Sequence, residues 1–74
     1  MPHLPIITPK ELVRILERHS YTPHRQKGSH LILIQANSTK QITVPMHARD
    51  LRKGTLRSII RQLGITVDEF VQMM

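Results

Sequence analysis

Two apolar runs, Leu31-Ile32-Leu33-Ile34 and Ile42-Thr43-Val44, stand on either side of Ala36-Asn37-Ser38-Thr39. Short runs rich in β-branched residues, broken by a cluster of small polar residues, predict a β-hairpin. Asn37 tolerates the positive φ that such turns demand. A turn centred on Asn37 and Ser38 sets Leu33 opposite Ile42 and Leu31 opposite Val44. Side chains alternate along a strand, and directly paired residues share a face. These four therefore make one apolar face that must be covered, and a slip of one residue would turn them to water. The same register puts His30, Ile32 and Ile34 on the other face. His30 falls across from Pro45, with His47 two residues further on, so two histidines distant in sequence become neighbours at one end of the hairpin. The apolar strip of Ile32 and Ile34 beside them calls for a partner that covers it.

The flanking segments supply the cover. Thr8-Pro9-Lys10-Glu11 has the marks of a helix start: Thr8 as N-cap, Pro9 at the first helical position and Glu11 closing a capping box. Leu12, Ile15, Leu16 and His19 then recur at helical spacing, which sets His19 at the edge of the buried stripe. This helix should stop near His19 or Ser20, because Pro23 disfavours helix at Thr22. Residues 1–7 read as an extended lead with prolines at positions 2 and 5. Residues 21–27 predict a weak strand, and Pro23, which cannot donate to a ladder, makes it either a sheet edge or a strand that begins after that residue. Gly28 permits the bend into a strong strand over 29–35. Pro45 ends the strand over 41–44, and residues 46–52 form a basic loop.

Gly54-Thr55 precedes a second helix whose apolar stripe is Leu56, Ile59, Ile60 and Leu63. Arg57 and Arg61 stand four apart on its flank, and Gly64 is its C-cap. Thr66-Val67-Asp68-Glu69 is a second capping box, opening a short last helix anchored by Phe70. The order helix, three strands, helix, short helix predicts one α+β domain over 1–74, α-β-β-β-α with a short C-terminal helix. Its three-stranded antiparallel sheet carries the helices on one face.

Charge narrows the function. The 74 residues include 11 Lys/Arg against 5 Asp/Glu, a net +6. Between Arg18 and Val67 the sole carboxylate is Asp50. A small domain so unbalanced attracts polyanions, nucleic acid first. Tyr21 and Phe70 are the only aromatic residues, which speaks against a base-stacking platform. Contacts to phosphate and sugar are the expected mode. With no cysteine, neither disulfides nor thiolate metal sites arise. No apolar run approaches the roughly 18 residues of a membrane span, and the first residues do not read as a signal peptide. A cytoplasmic protein without membrane contact is the expectation.

Lys27-Gly28-Ser29-His30 carries the candidate chemistry. Histidine both takes and gives protons near neutral pH. RNA carries its own nucleophile, the 2′-hydroxyl, so its cleavage needs no metal or other cofactor in principle. It needs a group to move protons and cations to neutralise the phosphorane charge. His30 and His47 suit the first task, and Arg25, Lys27 and Arg49 the second. Lys53-Gly54-Thr55 lacks the rest of a phosphate-binding loop, yet its exposed amides and cation could hold one RNA phosphate. A metal site would need His30, His47 and a carboxylate such as Asp50. A Ser29 nucleophile is badly placed to use His30, because neighbours on a strand point to opposite faces. Residues 59–70 have the look of a helix-turn-helix, but its second helix would be short and would bring Asp68 and Glu69 towards DNA phosphates. A non-catalytic module that binds RNA or a partner through the same fold is the alternative.

The chain resembles HicA toxins, the YcfA family, of HicA–HicB toxin–antitoxin systems. The resemblance runs through Ile7-Thr8 and the capped helix, Arg25-Gln26-Lys27-Gly28-Ser29-His30, and Val44-Pro45-Met46-His47. It continues through Lys53-Gly54-Thr55-Leu56-Arg57-Ser58-Ile59-Ile60-Arg61-Gln62-Leu63-Gly64 and reaches Phe70. Gly-Ser-His followed by Gly-Thr-Leu in so short a chain is specific. The resemblance implies a double-stranded-RNA-binding-domain-like fold and an mRNA-cleaving activity that arrests growth. The family's catalytic histidine falls on His30, and Ser29 and His47 become supporting positions. Arg25, Lys27, Arg49, Lys53 and Arg57 are the expected RNA contacts. A HicB-like antitoxin covering His30 and the exposed sheet face is the implied partner. One departure stands out: many relatives have Gly-Phe where this chain has Ser20-Tyr21.

Overall fold

The computed structural model describes residues 3–47 and 49–74. Positions 1, 2 and 48 lie outside the described residues, and with them the start of the expected lead and one position of the basic loop. The elements are α1 (Pro9–Arg18), β1 (Tyr21–Lys27), β2 (His30–Gln35), β3 (Gln41–Pro45), α2 (Lys53–Leu63) and α3 (Val67–Met73). This is the α-β-β-β-α order of a double-stranded-RNA-binding-domain-like layout, extended by a short last helix. Among the described residues no helix is long and apolar enough to cross a membrane.

Helix α1 starts as its sequence dictates. The Glu11 amide donates to Thr8 Oγ1 at 3.1 Å, and the Thr8 amide donates back to Glu11 Oε1 at 2.9 Å. These bonds hold the Glu11 carboxyl below the usual carboxylate range. The helix ends one residue before His19, which caps it with φ −115° and ψ 35°, and Ser20 follows in the left-handed region at φ 73°. This corrects the expected position of His19. Having left helical geometry, its ring turns outward and is exposed, with Nε2 3.4 Å from the Met73 carbonyl oxygen. The stop itself is made by the left-handed turn at Ser20, three residues ahead of Pro23.

The sheet runs β1-β2-β3, antiparallel throughout. The β2–β3 register is the expected one: Leu33 opposite Ile42, Leu31 opposite Val44 and His30 opposite Pro45. Asn37 takes a φ of 63° in the turn, which the Gln35 amide closes by donating to the Lys40 carbonyl at 3.0 Å. Leu33, Ile42 and Val44 are completely buried against Leu12, Leu16, Leu56 and Phe70. Tyr21 joins this core, and burial pushes its phenol pKa up. Two further members, Ile7 and Leu51, belong to no periodic stripe. The Leu51 amide donates to the Ile7 carbonyl at 2.9 Å, tying the lead to the approach of α2.

Helix α2 begins at Lys53, so Lys53, Gly54 and Thr55 form its first turn rather than a preceding loop. Leu56, Ile59, Ile60 and Leu63 face the core as expected. Gly64 closes the helix at φ 75°, and Lys40 Nζ reaches across to donate to the Leu63 carbonyl at 2.8 Å. Helix α3 opens on the Thr66–Glu69 capping box and is held by the fully buried Phe70. Its seven residues carry Asp68 and Glu69 in the first turn, a poor surface for DNA phosphates.

Candidate functional site

The strand register builds the site. His30 is the first residue of β2 and lies on the sheet face away from the helices, between Lys27 on β1 and Pro45 on β3. Beyond Pro45 the chain turns, and the His47 ring comes to rest with its centre 6.5 Å from that of His30, the planes inclined by 71°. Both rings are exposed. The tie that holds them is local. Ser29 sits half-buried in the β1–β2 turn, where its carbonyl accepts from the Met46 amide at 2.6 Å. The two ends that carry the histidines are thereby joined one residue from each ring.

The two histidines stand at the mouth of a groove of about 720 Å³ between β3 and α2. Thr43 and Pro45 line one side, and Arg52, Thr55, Ser58 and Gln62 line the other, with the buried Leu51 and Ile59 beneath. Arg52 is the N-cap of α2 and offers no side-chain bond to the first turn. The leading amides of that helix therefore look out beside the histidines, where an anion is favoured.

Of the other expected contacts, Lys27 and Arg25 share the outer face with His30, opposite His30 and Ile32 respectively. They do so because the register of β1 shifts between Pro23 and Arg25. Were His24 paired regularly instead of bulged out, strict alternation from the buried Tyr21 would send both cations to the helix side. Arg49 and Lys53 are exposed near the start of α2. Arg57 lies apart: it lines a separate depression with Ile60, Arg61, Ile65, Thr66 and Val67. Arg52, Ser58 and Gln62, which line the histidine groove, were not singled out from the sequence. Their spacing along one helix stripe is the signal that finds them, once β3 is known to lie alongside. Among the described residues no group of three His, Cys, Asp or Glu side chains is arranged to hold a metal ion. Ile32 and Ile34 remain half-buried on the outer face, beside His30.

No curated protein matches the chain. The family model described as the HicA toxin of bacterial toxin–antitoxin systems matches residues 9–65, well over half of it. The matched stretch includes every strand, both histidines of the site and the whole of α2. With this fold and this match, the chain belongs to the HicA toxin family, whose members are RNases paired with HicB-type antitoxins.

Proposed function

We propose that this protein is a metal-independent endoribonuclease that cleaves mRNA, with His30 as its general acid–base residue. The observation that carries the reading is the His30–His47 pair, 6.5 Å between ring centres, with Lys27 in direct register beside His30. One imidazole removes the 2′-hydroxyl proton as that oxygen bonds to the adjacent phosphorus. The bond from phosphorus to the 5′-oxygen then breaks, and an imidazolium returns a proton to the departing oxygen. The products are a 2′,3′-cyclic phosphate and a 5′-hydroxyl. His30 performs a proton transfer and His47 supports it, while Ser29 fixes the turn through its backbone carbonyl. Lys27 and Arg25 offset charge on the phosphorane. Arg49, Lys53 and the first-turn amides of α2 hold flanking phosphates, and Arg57 contacts RNA further along the helix. A HicB-like antitoxin silences the site by covering His30 together with Ile32 and Ile34.

The test is to incubate the purified protein with mRNA in excess chelator and to identify the new ends. Cleavage giving cyclic phosphate and 5′-hydroxyl ends supports the reading. Cleavage abolished by the chelator, or 5′-phosphate ends, contradicts it. Tight RNA binding with no cleavage would favour the non-catalytic module.

A further inference from the structure

The groove beside the histidines has more structure than phosphate neutralisation requires. Its α2 wall presents Thr55, Ser58 and Gln62 at positions i, i+3 and i+7, one stripe of the helix. At 1.5 Å per residue that stripe runs about 10 Å away from the histidines. Its opposite wall is β3, an edge strand. The Gln35–Lys40 and Ser29–Met46 pairs carry ladder hydrogen bonds. Alternation then turns the amide and carbonyl of Thr43 outward, into the groove. The floor is apolar, made by Ile59 and Leu51. Gln62 Nε2 makes only a long 3.5 Å contact to Ser58 Oγ. A groove with an apolar floor and polar rims suits a flat heterocycle. Tyr21 and Phe70 are both buried, so stacking falls to Pro45 and the His47 ring, and histidine is among the side chains on which RNA bases stack.

The geometry points to this groove as a base-reading subsite for single-stranded RNA, with Gln62 as the residue that reads the base next to the cleaved phosphate. The inference rests on the nuclease reading above, since it takes the same strand past His30. A carboxamide pairs bidentately with adenine, so adenine is the favoured base. A duplex is excluded, because its paired bases cannot be turned into a groove of this kind. Gln62 touches no reacting atom and acts on specificity alone.

The experiment measures binding of short uridine oligonucleotides carrying a single adenosine, guanosine or cytidine, in the full chain with His30→Ala so that the probe stays intact. The expected result is about tenfold tighter binding of the adenosine oligonucleotide over plain uridine. In His30→Ala/Gln62→Ala that preference falls to within about twofold, with binding of plain uridine little changed. Ser58→Ala, which shortens the neighbouring side chain, weakens the preference in part. Gln62 is exposed, so thermal melting should report an intact fold. A preference that survives Gln62→Ala overturns the inference, as does equal binding of all four probes or of a duplex of the same sequence. Cleavage of mRNA by His30→Ala at the parent rate would overturn the nuclease reading alone, and the loss or survival of the adenosine preference in Gln62→Ala would still decide the role of Gln62.

Discussion

Lys27 lies directly opposite His30 on the outer face of the sheet because a bulge takes the extra residue His24 out of the alternation of β1. The bulge is what separates a strand whose first residue, Tyr21, is buried from a strand whose last cations face solvent beside a histidine. Removing His24 should delete the bulge and leave a regular strand, with Arg25 still opposite Ile32 and Lys27 still opposite His30. The expected outcome is a folded protein that cleaves RNA at near the parent rate, because the positive charge beside His30 is kept. Lys27→Ala, which removes that charge, should instead lower cleavage by about tenfold. His24→Ala, which keeps the bulge, should cleave at near the parent rate. Circular dichroism and a cleavage time course check all three.

Ser20 occupies the left-handed region at φ 73°, where a Cβ is unfavourable and glycine is at ease. The glycine that many relatives have here thus acquires a physical reason. Ser20→Gly should stabilise the protein by about 1 kcal/mol, read as a higher urea midpoint with unchanged slope. No effect on RNA cleavage is expected, since Ser20 lies at the opposite end of the hairpin from His30.

Lys40 Nζ donates to the Leu63 carbonyl at 2.8 Å and caps the C-terminus of α2 from the β2–β3 turn. Lys40→Met keeps the stem but removes the cation, and should cost about 1 kcal/mol. High salt should narrow the difference between the two proteins, because part of the effect is screened charge.

Glu11 is held below the usual carboxylate range by its bonds to Thr8. A group whose folded pKa is lowered contributes stability above its unfolded pKa and loses it as pH falls through the folded value. Glu11→Ala should therefore be less stable than the parent at neutral pH, and the two should converge as pH drops below the ordinary carboxylate range. Tyr21 works in the opposite direction. Its raised pKa adds stability that is present below the ordinary phenol value and lost as pH rises above it.

Much of this architecture was legible in the residues. The turn at Asn37 and the alternation of Leu31, Leu33, Ile42 and Val44 determine the β2–β3 register, and with it the meeting of His30 and His47. Both capping boxes and the Gly64 cap are local hydrogen-bond chemistry, readable without a structure. What escaped is non-local. The His24 bulge leaves no periodic trace in a strand that is exposed along nearly its whole length. Leu51 and Ile7 are buried by contact with each other's segments, outside any stripe. His19 kept helical spacing in the sequence but lost helical geometry at Ser20. The groove residues Arg52, Ser58 and Gln62 matter only because β3 lies beside α2, and no spacing within α2 reveals that neighbour.

The proposed proton transfer by His30 is tested by the single-turnover cleavage rate of His30→Ala against the parent, with folding and RNA affinity measured on the same samples. His30 is exposed and supports no core contact, so the variant should fold and bind RNA as the parent does. Its cleavage rate should be lower by roughly 10²- to 10⁴-fold. A folded, RNA-binding His30→Ala protein that cleaves as fast as the parent would contradict the proposed transfer.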